Sequence, residues 1–404
     1  MQRHATRALL AALGLWSTAA LGQQMHMHLP SAPCSGSEIG CSNVATPAFG
    51  PDGSLWLAWA AGGKVMVARS ADLGKSFGPA VAVNAEPAKL DSGPDARPKI
   101  VVDDRGHIDV AYAVFQDEHY DGRVYFSRSL DGGASFAAPK PITDDTSSQR
   151  FETLTLDPGG GLFAAWLDKR DAFAARQQGK TYPGAALAFA WGKADEGGFS
   201  PAKIAVDDTC ECCRLAVGFA GPHRPVVLFR NIFDETTRDH AVVTFADVQT
   251  PGPLHRISVD DWKTNVCPHQ GPTLAISANG TYHAAWFTEG LARKGVFYAR
   301  SLDGGATFTA PMAVGSYEHH AARPYLLAQD GKVWLAWKEF DGQSTVVKAM
   351  TSSDDGASWS SPAILAGTAD ASDHPLLIAR RGTVYLSWLT RREGYRLMPV
   401  VGPE

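Results

Sequence analysis

The sequence predicts an all-β chain, and three observations carry that expectation. Its 404 residues are 45% hydrophobic yet include 40 Gly and 25 Pro, a balance that suits a large core built from many short strands joined by turns. A strand-like segment recurs seven times, as "SLWLAW", "HIDVAY", "GLFAAW", "RPVVLF", "TYHAAW", "KVWLAW" and "TVYLSW". These copies end at Trp59, Tyr112, Trp166, Phe229, Trp286, Trp337 and Trp388, at intervals of 53, 54, 63, 57, 51 and 51 residues. An eight-residue segment recurs four times, as "SADLGKSF", "SLDGGASF", "SLDGGATF" and "SSDDGASW". Repeats of this length suit radially arranged units, so the expected architecture is a β-propeller of four-stranded antiparallel blades. Seven hairpins argue for seven blades; six blades plus an irregular segment is the alternative, because the fourth copy is the least regular.

The elements follow in chain order. Arg3 and Arg7 precede the apolar run "ALLAALGLWSTAALG", with Ala20 and Gly22 where a signal peptidase would cut. Residues 1–22 are therefore expected to be a cleaved export signal, 23–42 an N-terminal extension and 43–404 a single propeller domain, placing the mature chain in the periplasm or outside the cell. No later stretch has the ~18 uninterrupted apolar residues of a membrane span. Loss of Arg3 and Arg7 takes the formal charge from −5 to −7, which argues against a nucleic-acid partner. A monomer is expected.

Most copies open with a hairpin whose turn is "PDG", "DDRG", "PGGG", "ANG" or "QDG". In the eight-residue segments the Asp carboxylate can accept backbone N–H groups, Gly supplies a positive φ, and the aromatic tucks under the sheet. Asp72, Asp131, Asp303 and Asp354 are read as structural. "KADEGGFSPAKI" around Asp195 is a degraded copy, and the slot near Asp247 has lost the pattern. The last copy lacks a fourth strand, which residues before Cys41 are expected to supply.

These segments resemble the Asp boxes of the sialidase-like superfamily of β-propellers. "CxCC", "RDH", "DDW" and "CPxxGP" together resemble a bacterial group of exported Asp-box proteins described as sialidase-like. In such a fold the loops entering the first strands gather around the mouth of the central channel. Here that repeat position holds Cys41 and Asn43; Asp95 and Arg97; Arg150 and Glu152; Cys210, Cys212, Cys213 and Arg214; Cys267 and His269; His319, His320 and Arg323; Asp373 and His374. The family binds a sialic acid carboxylate with three arginines and uses an Asp acid with a Tyr–Glu nucleophilic pair. The resemblance implies Asp95 or Asp168 as the acid and Tyr317 with Glu318 as the pair. Arg97, Arg150, Arg214 and Arg323, with Arg238 and His320, are candidate anion ligands, because guanidinium forks bind carboxylates bidentately. The alternative for each arginine is a salt bridge to a neighbouring blade. Arg230, Asp234, Asp239 and His240 could wall the same pocket.

All six cysteines follow the export segment, which favours disulfides, Cys34 with Cys41 among them. The sharper reading of Cys210, Cys212, Cys213, Cys267 and His269 is a copper or zinc site, to which "QQMHMH" adds soft ligands. Three functions follow: an exo-glycosidase or binder of acidic glycans or other small anions, a metal-binding propeller without hydrolase activity, and an extracellular interaction scaffold.

Overall fold

The computed structural model describes Cys34, residues 36–192 and residues 197–400. The expected export segment, "QQMHMH" and Asp195 lie outside the described residues. Among those described, seven antiparallel sheets follow one another in chain order and form a seven-bladed β-propeller. The innermost strands are Ala45–Phe49, Lys99–Val102, Gln149–Leu156, Ala216–Phe219, Thr273–Ile276, Ala322–Gln329 and Leu376–Arg380.

The second strand of each blade explains the repeated apolar runs. Leu55–Ala61 and Leu162–Asp168 are buried at every position. Neighbouring blades cover both faces, so the sequence lacks the alternation of a half-exposed strand. The closing aromatics are all buried, and several indole N–H groups find acceptors near the strand end: Trp286 donates to Asp260 at 2.7 Å, Trp337 to Glu339 at 2.8 Å and Trp388 to the Asp373 carbonyl at 2.9 Å. Each indole therefore fills the seam between blades and also satisfies its polar edge.

The four eight-residue turns share one geometry. The Asp131 carboxylate accepts the Ser135 N–H at 2.9 Å and the Ser135 hydroxyl at 2.5 Å. Ser129 Oγ donates to the same carboxylate at 2.8 Å and accepts the Gly133 N–H at 2.9 Å. Hydrogen bonding from Ser135 draws the Asp131 carboxyl down to about 2. Asp72, Asp303 and Asp354 repeat the pattern. The aromatic goes to the seam with the preceding blade: Phe77 packs edge-on against Tyr395 and Trp359 against Tyr298, with centroids 5.8 and 4.8 Å apart.

The second glycine of "SLDGGASF" has a further task. A Cβ on Gly133 would meet the Trp56 ring of blade 1 at 2.6 Å, whereas one on Gly132 would meet nothing; φ is +84° and +67° respectively. Gly133→Ala is therefore expected to destabilise by about 1–3 kcal/mol more than Gly132→Ala, since both carry the left-handed penalty but only the former opens the seam. Parallel denaturant titrations of the two variants measure the difference; equal losses would show that the seam does not require the glycine.

Blade 3 carries an α-helix, Arg170–Gln177, between its second and third strands, and three other blades depart from the repeat among the described residues. In blade 2 the inner edge is split: Leu90–Asp91 and Lys99–Val102 both pair with Ile108–Phe115, and residues 92–98 leave the sheet between them. In blade 4 a tight turn joins His240–Asp247 directly to Thr250–Arg256, leaving no room for the eight-residue segment. Blade 7 has three strands among the described residues, ending at Gly394–Pro399. Residues 36–41 add no strand to it, and the rest of the segment expected to complete it lies outside the described residues. Ile39–Cys41 forms a 3-10 turn, with Ile39 and Cys41 packed among Trp59, Leu389 and Tyr395, and Cys34 is disulfide-bonded to Cys41.

The ring is instead locked by a side chain. The Asp373 carboxylate of blade 7 accepts the Ala45 N–H of blade 1 at 3.0 Å and both terminal nitrogens of Arg97 from blade 2, at 2.5 and 2.9 Å. Arg97 also donates to the Ala45 and Pro94 carbonyls. One buried ion pair thus holds three blades.

Candidate functional site

All seven innermost strands, or the residues leading into them, line one axial cavity of about 280 Å³. The excursion at 92–98 carries Asp95 into it. Asp95 accepts Arg214 Nη1 of blade 4 on one oxygen and Arg323 Nη1 of blade 6 on the other, each at 3.0 Å. Arg214 also donates to the Pro324 carbonyl at 3.0 Å, and Arg323 to the His269 carbonyl. Arg323 itself has φ +58°, and the pairing of its strand shifts between Ala322 and Tyr325. Such a bulge re-aims a side chain, here toward Asp95.

His374 completes this group, its Nδ1 3.9 Å from Asp95, buried and without a hydrogen-bond partner. Burial and the nearby charges of Arg323, Arg214, Lys338 and Arg97 hold its imidazole well below the usual histidine range, so it is neutral. Lys99 donates to the Arg97 carbonyl at 2.8 Å, and burial draws its amine down to about 8. Glu152, opposite in charge, is buried with no hydrogen bond to either oxygen, and burial pushes it up to about 7. Lys338 donates to the Ser372 and Asp373 carbonyls and is likewise drawn down to about 8 by burial. Five basic side chains, Arg97, Lys99, Arg214, Arg323 and Lys338, thus share this region with three carboxylates, Asp95, Glu152 and Asp373. A concave site with excess basic groups favours an anion.

Of the residues singled out from sequence, Asp95, Arg97, Arg214, Arg323 and His374 line the cavity and the rest do not. Arg150 lies between blades 2 and 3, bonded to Asp91 at 2.6 Å and stacked between the rings of Phe115 and Phe151. Arg238 donates to the Thr264 carbonyl and to Cys210 Sγ. His320 is exposed. Asp168 is buried and occupied by Arg170 and the Trp166 indole. Tyr317 donates its hydroxyl to Glu289 at 2.9 Å, so its carboxylate partner is Glu289 in place of the expected Glu318. The interaction with Glu289 and partial burial raise the phenol's pKa, the larger contribution being burial. Arg230, Asp239 and His240 are buried in blade 4, and neither they nor Asp234 line the cavity.

Sequence reasoning missed Lys99 and Lys338. Lys99 had a signal, since it alternates with Arg97 across Pro98 at the start of an inner strand; Lys338 lies on a second strand and had none.

The cysteines gather as their repeat position implied. Cys210, Cys212 and Cys213 are buried and unbridged, with Sγ atoms within 4.8 Å of one another, and Cys267 is also free and interacts with Cys212. His269 faces the Phe151 ring instead, with centroids 6.0 Å apart.

No family model matches this sequence, and no curated protein matches it. Among solved structures the chain is similar to a polysaccharide lyase of family 25, an ulvan lyase solved with -[GlcA(1-4)Rha3S]- bound, with a TM-score of 0.56 at 11% identity over 90% of this chain and 94% of the other. It is also similar to the polysaccharide lyase Uly1, with a TM-score of 0.53 at 10% identity over 86% of each chain. The intramolecular trans-sialidase from Ruminococcus gnavus aligns over 91% of this chain and 97% of its own at 12% identity, with a TM-score of 0.45. At these identities the likeness is one of fold.

Proposed function

We propose that the protein is a carbohydrate-active propeller that binds an acidic glycan at the axial cavity, with a uronate or sulfate group taken by Arg214 and Arg323. The observation that carries this reading is the Asp95 bridge. Two arginines from blades 4 and 6 converge on one carboxylate with one bond to each oxygen, the arrangement a ligand carboxylate or sulfate would need. An ulvan lyase of the same fold, bound to a chain containing glucuronate and sulfated rhamnose, supports the ligand class. His374 adds an unsatisfied nitrogen beside the same position, able to donate or accept toward a sugar hydroxyl.

Calorimetric titration with uronate- or sulfate-bearing oligosaccharides, beside neutral ones of the same linkage, tests the proposal. Acidic oligosaccharides should bind and neutral ones should not. Arg323→Gln should weaken binding ~30-fold, the lower end of the effect of removing one partner of a buried charge pair. Asp95→Asn should strengthen binding, because it removes the internal competitor. Equal binding of neutral glycans, or no effect of Arg323→Gln, would sink the reading.

A hydrolytic version is favoured by one observation, the pairing of Tyr317, on the loop leading into blade 6, with Glu289, at the end of the second strand of blade 5. It requires cleavage of an acidic glycoside that is lost in Tyr317→Phe, whereas a binder gives no product with either chain.

A further inference from the structure

We propose that Cys210, Cys212, Cys213 and Cys267 form a site for a thiophilic d10 ion, zinc(II) or copper(I), that ties the entry loops of blades 4 and 5 together at the rim. The sulfur spacing is the first argument. Cys210 Sγ lies 3.6 Å from that of Cys212 and 3.8 Å from that of Cys213. A metal–sulfur bond of about 2.3 Å in tetrahedral geometry separates ligand sulfurs by roughly 3.8 Å, so two edges of the coordination figure are already in place.

The surroundings are the second argument. The loop is held from outside the cluster: the Cys210 N–H donates to the Arg230 carbonyl at 2.9 Å, and the Thr209 hydroxyl to the Ala185 carbonyl at 2.6 Å. The three sulfurs therefore converge on a fixed backbone. Arg238 Nη1 donates to Cys210 Sγ at 3.3 Å. Thiols packed as small apolar side chains would not need a buried guanidinium, whereas a thiolate accepts from it strongly.

Charge gives the third argument. Zinc(II) with four thiolates, or copper(I) with three, carries two negative charges. Arg238 and Arg230 supply two positive ones close to Cys210, so either loaded site is balanced without a further counterion. On binding, each ligating thiol releases its proton to solvent and no electrons are transferred. Disulfide pairing within the cluster is the competitor. It must send the adjacent Cys212 and Cys213 to different partners, because a bridge between sequence neighbours is strained.

The site has a consequence for the cavity. Arg214 directly follows Cys213, so an ion at the cluster fixes the base of one of the two arginines on Asp95.

The test uses the full chain, isolated from the compartment to which it is exported and then reduced and stripped. Zinc(II) and copper(I) are titrated separately, with thiol counting and elemental analysis at each step. Zinc is expected at about one ion per chain with all four thiols protected. Copper(I) is expected at about one ion with three protected and Cys267 still reactive. Cys267→Ser should then weaken zinc at least ~100-fold and leave copper(I) in place. Cadmium(II) added to the unsubstituted chain should give a thiolate charge-transfer band that saturates at one equivalent. If that band is absent, or the isolated protein has paired cysteines in the cluster, the proposal fails.

Discussion

Replacing Asp373 by alanine is expected to lower the unfolding free energy by about 3–5 kcal/mol, the cost of stranding one partner of a buried ion pair. Asp373 and Arg97 have side chains 1% and 5% exposed, so the Arg97 guanidinium would lose its bidentate partner with no water to replace it. The Ala45 N–H would lose its acceptor at the same time. Blades 7, 1 and 2 all meet at this pair, and among the described residues no shared strand fastens blade 7 to blade 1. The loss should therefore appear in global unfolding, measured as a fall in the denaturant midpoint with an unchanged slope. An apolar double replacement, Asp373→Leu with Arg97→Met, should recover most of the loss, because a buried pair contributes little beyond a well-packed apolar substitute. If Asp373→Ala costs less than about 1 kcal/mol, the ring is closed by something other than this pair.

Acid should loosen the fold well before ordinary carboxylates titrate. Burial holds His240 and His374 well below the usual histidine range, and His283 below it. As the pH falls through about 6.5, the unfolded chain takes up protons that the folded chain refuses, and stability drops with it. Glu152 works in the opposite sense. Burial raises it to about 7 from an ordinary 4.5, so between those values the folded state holds a proton the unfolded state lacks, which offsets one histidine. The histidines outnumber it, so the profile should still fall between pH 6.5 and 5. Glu152→Gln should steepen it by about one proton. Denaturant titrations at pH 7.5, 6.5 and 5.5 on both chains read this out; a flat profile in the parent chain would contradict the buried neutral histidines.

The blade repeat was legible because the forces that produce it are local or identical in every copy. Ser129, Asp131, Gly133 and Ser135 satisfy one another within seven residues, and an indole such as Trp286 marks each seam. The rim was only half legible. Arg97, Arg150, Arg214 and Arg323 occupy the same repeat position, but their destinations depend on contacts up to 276 residues away. A register shift between Arg150 and Thr153 accompanies the placement of Arg150 against Asp91 and Phe115, and the bulge at Arg323 turns that side chain toward the axis. That the last copy lacks a fourth strand was legible, but the Asp373 lock was not, since it joins side chains of blades 7 and 2 to a backbone N–H of blade 1.

The tethered Asp95 sets a threshold for what the cavity admits. A carboxylate fixed between two guanidinium groups competes at an effective concentration of millimolar or more, so a lone small anion such as acetate or chloride gains little by displacing it. On the proposed reading, a polymer that presents several negative groups in succession can exchange with the tether at one arginine while another of its charges engages Lys99. Selectivity for chain-borne over free acid would then come from the protein's own built-in competitor, with no pocket shaped to a particular sugar.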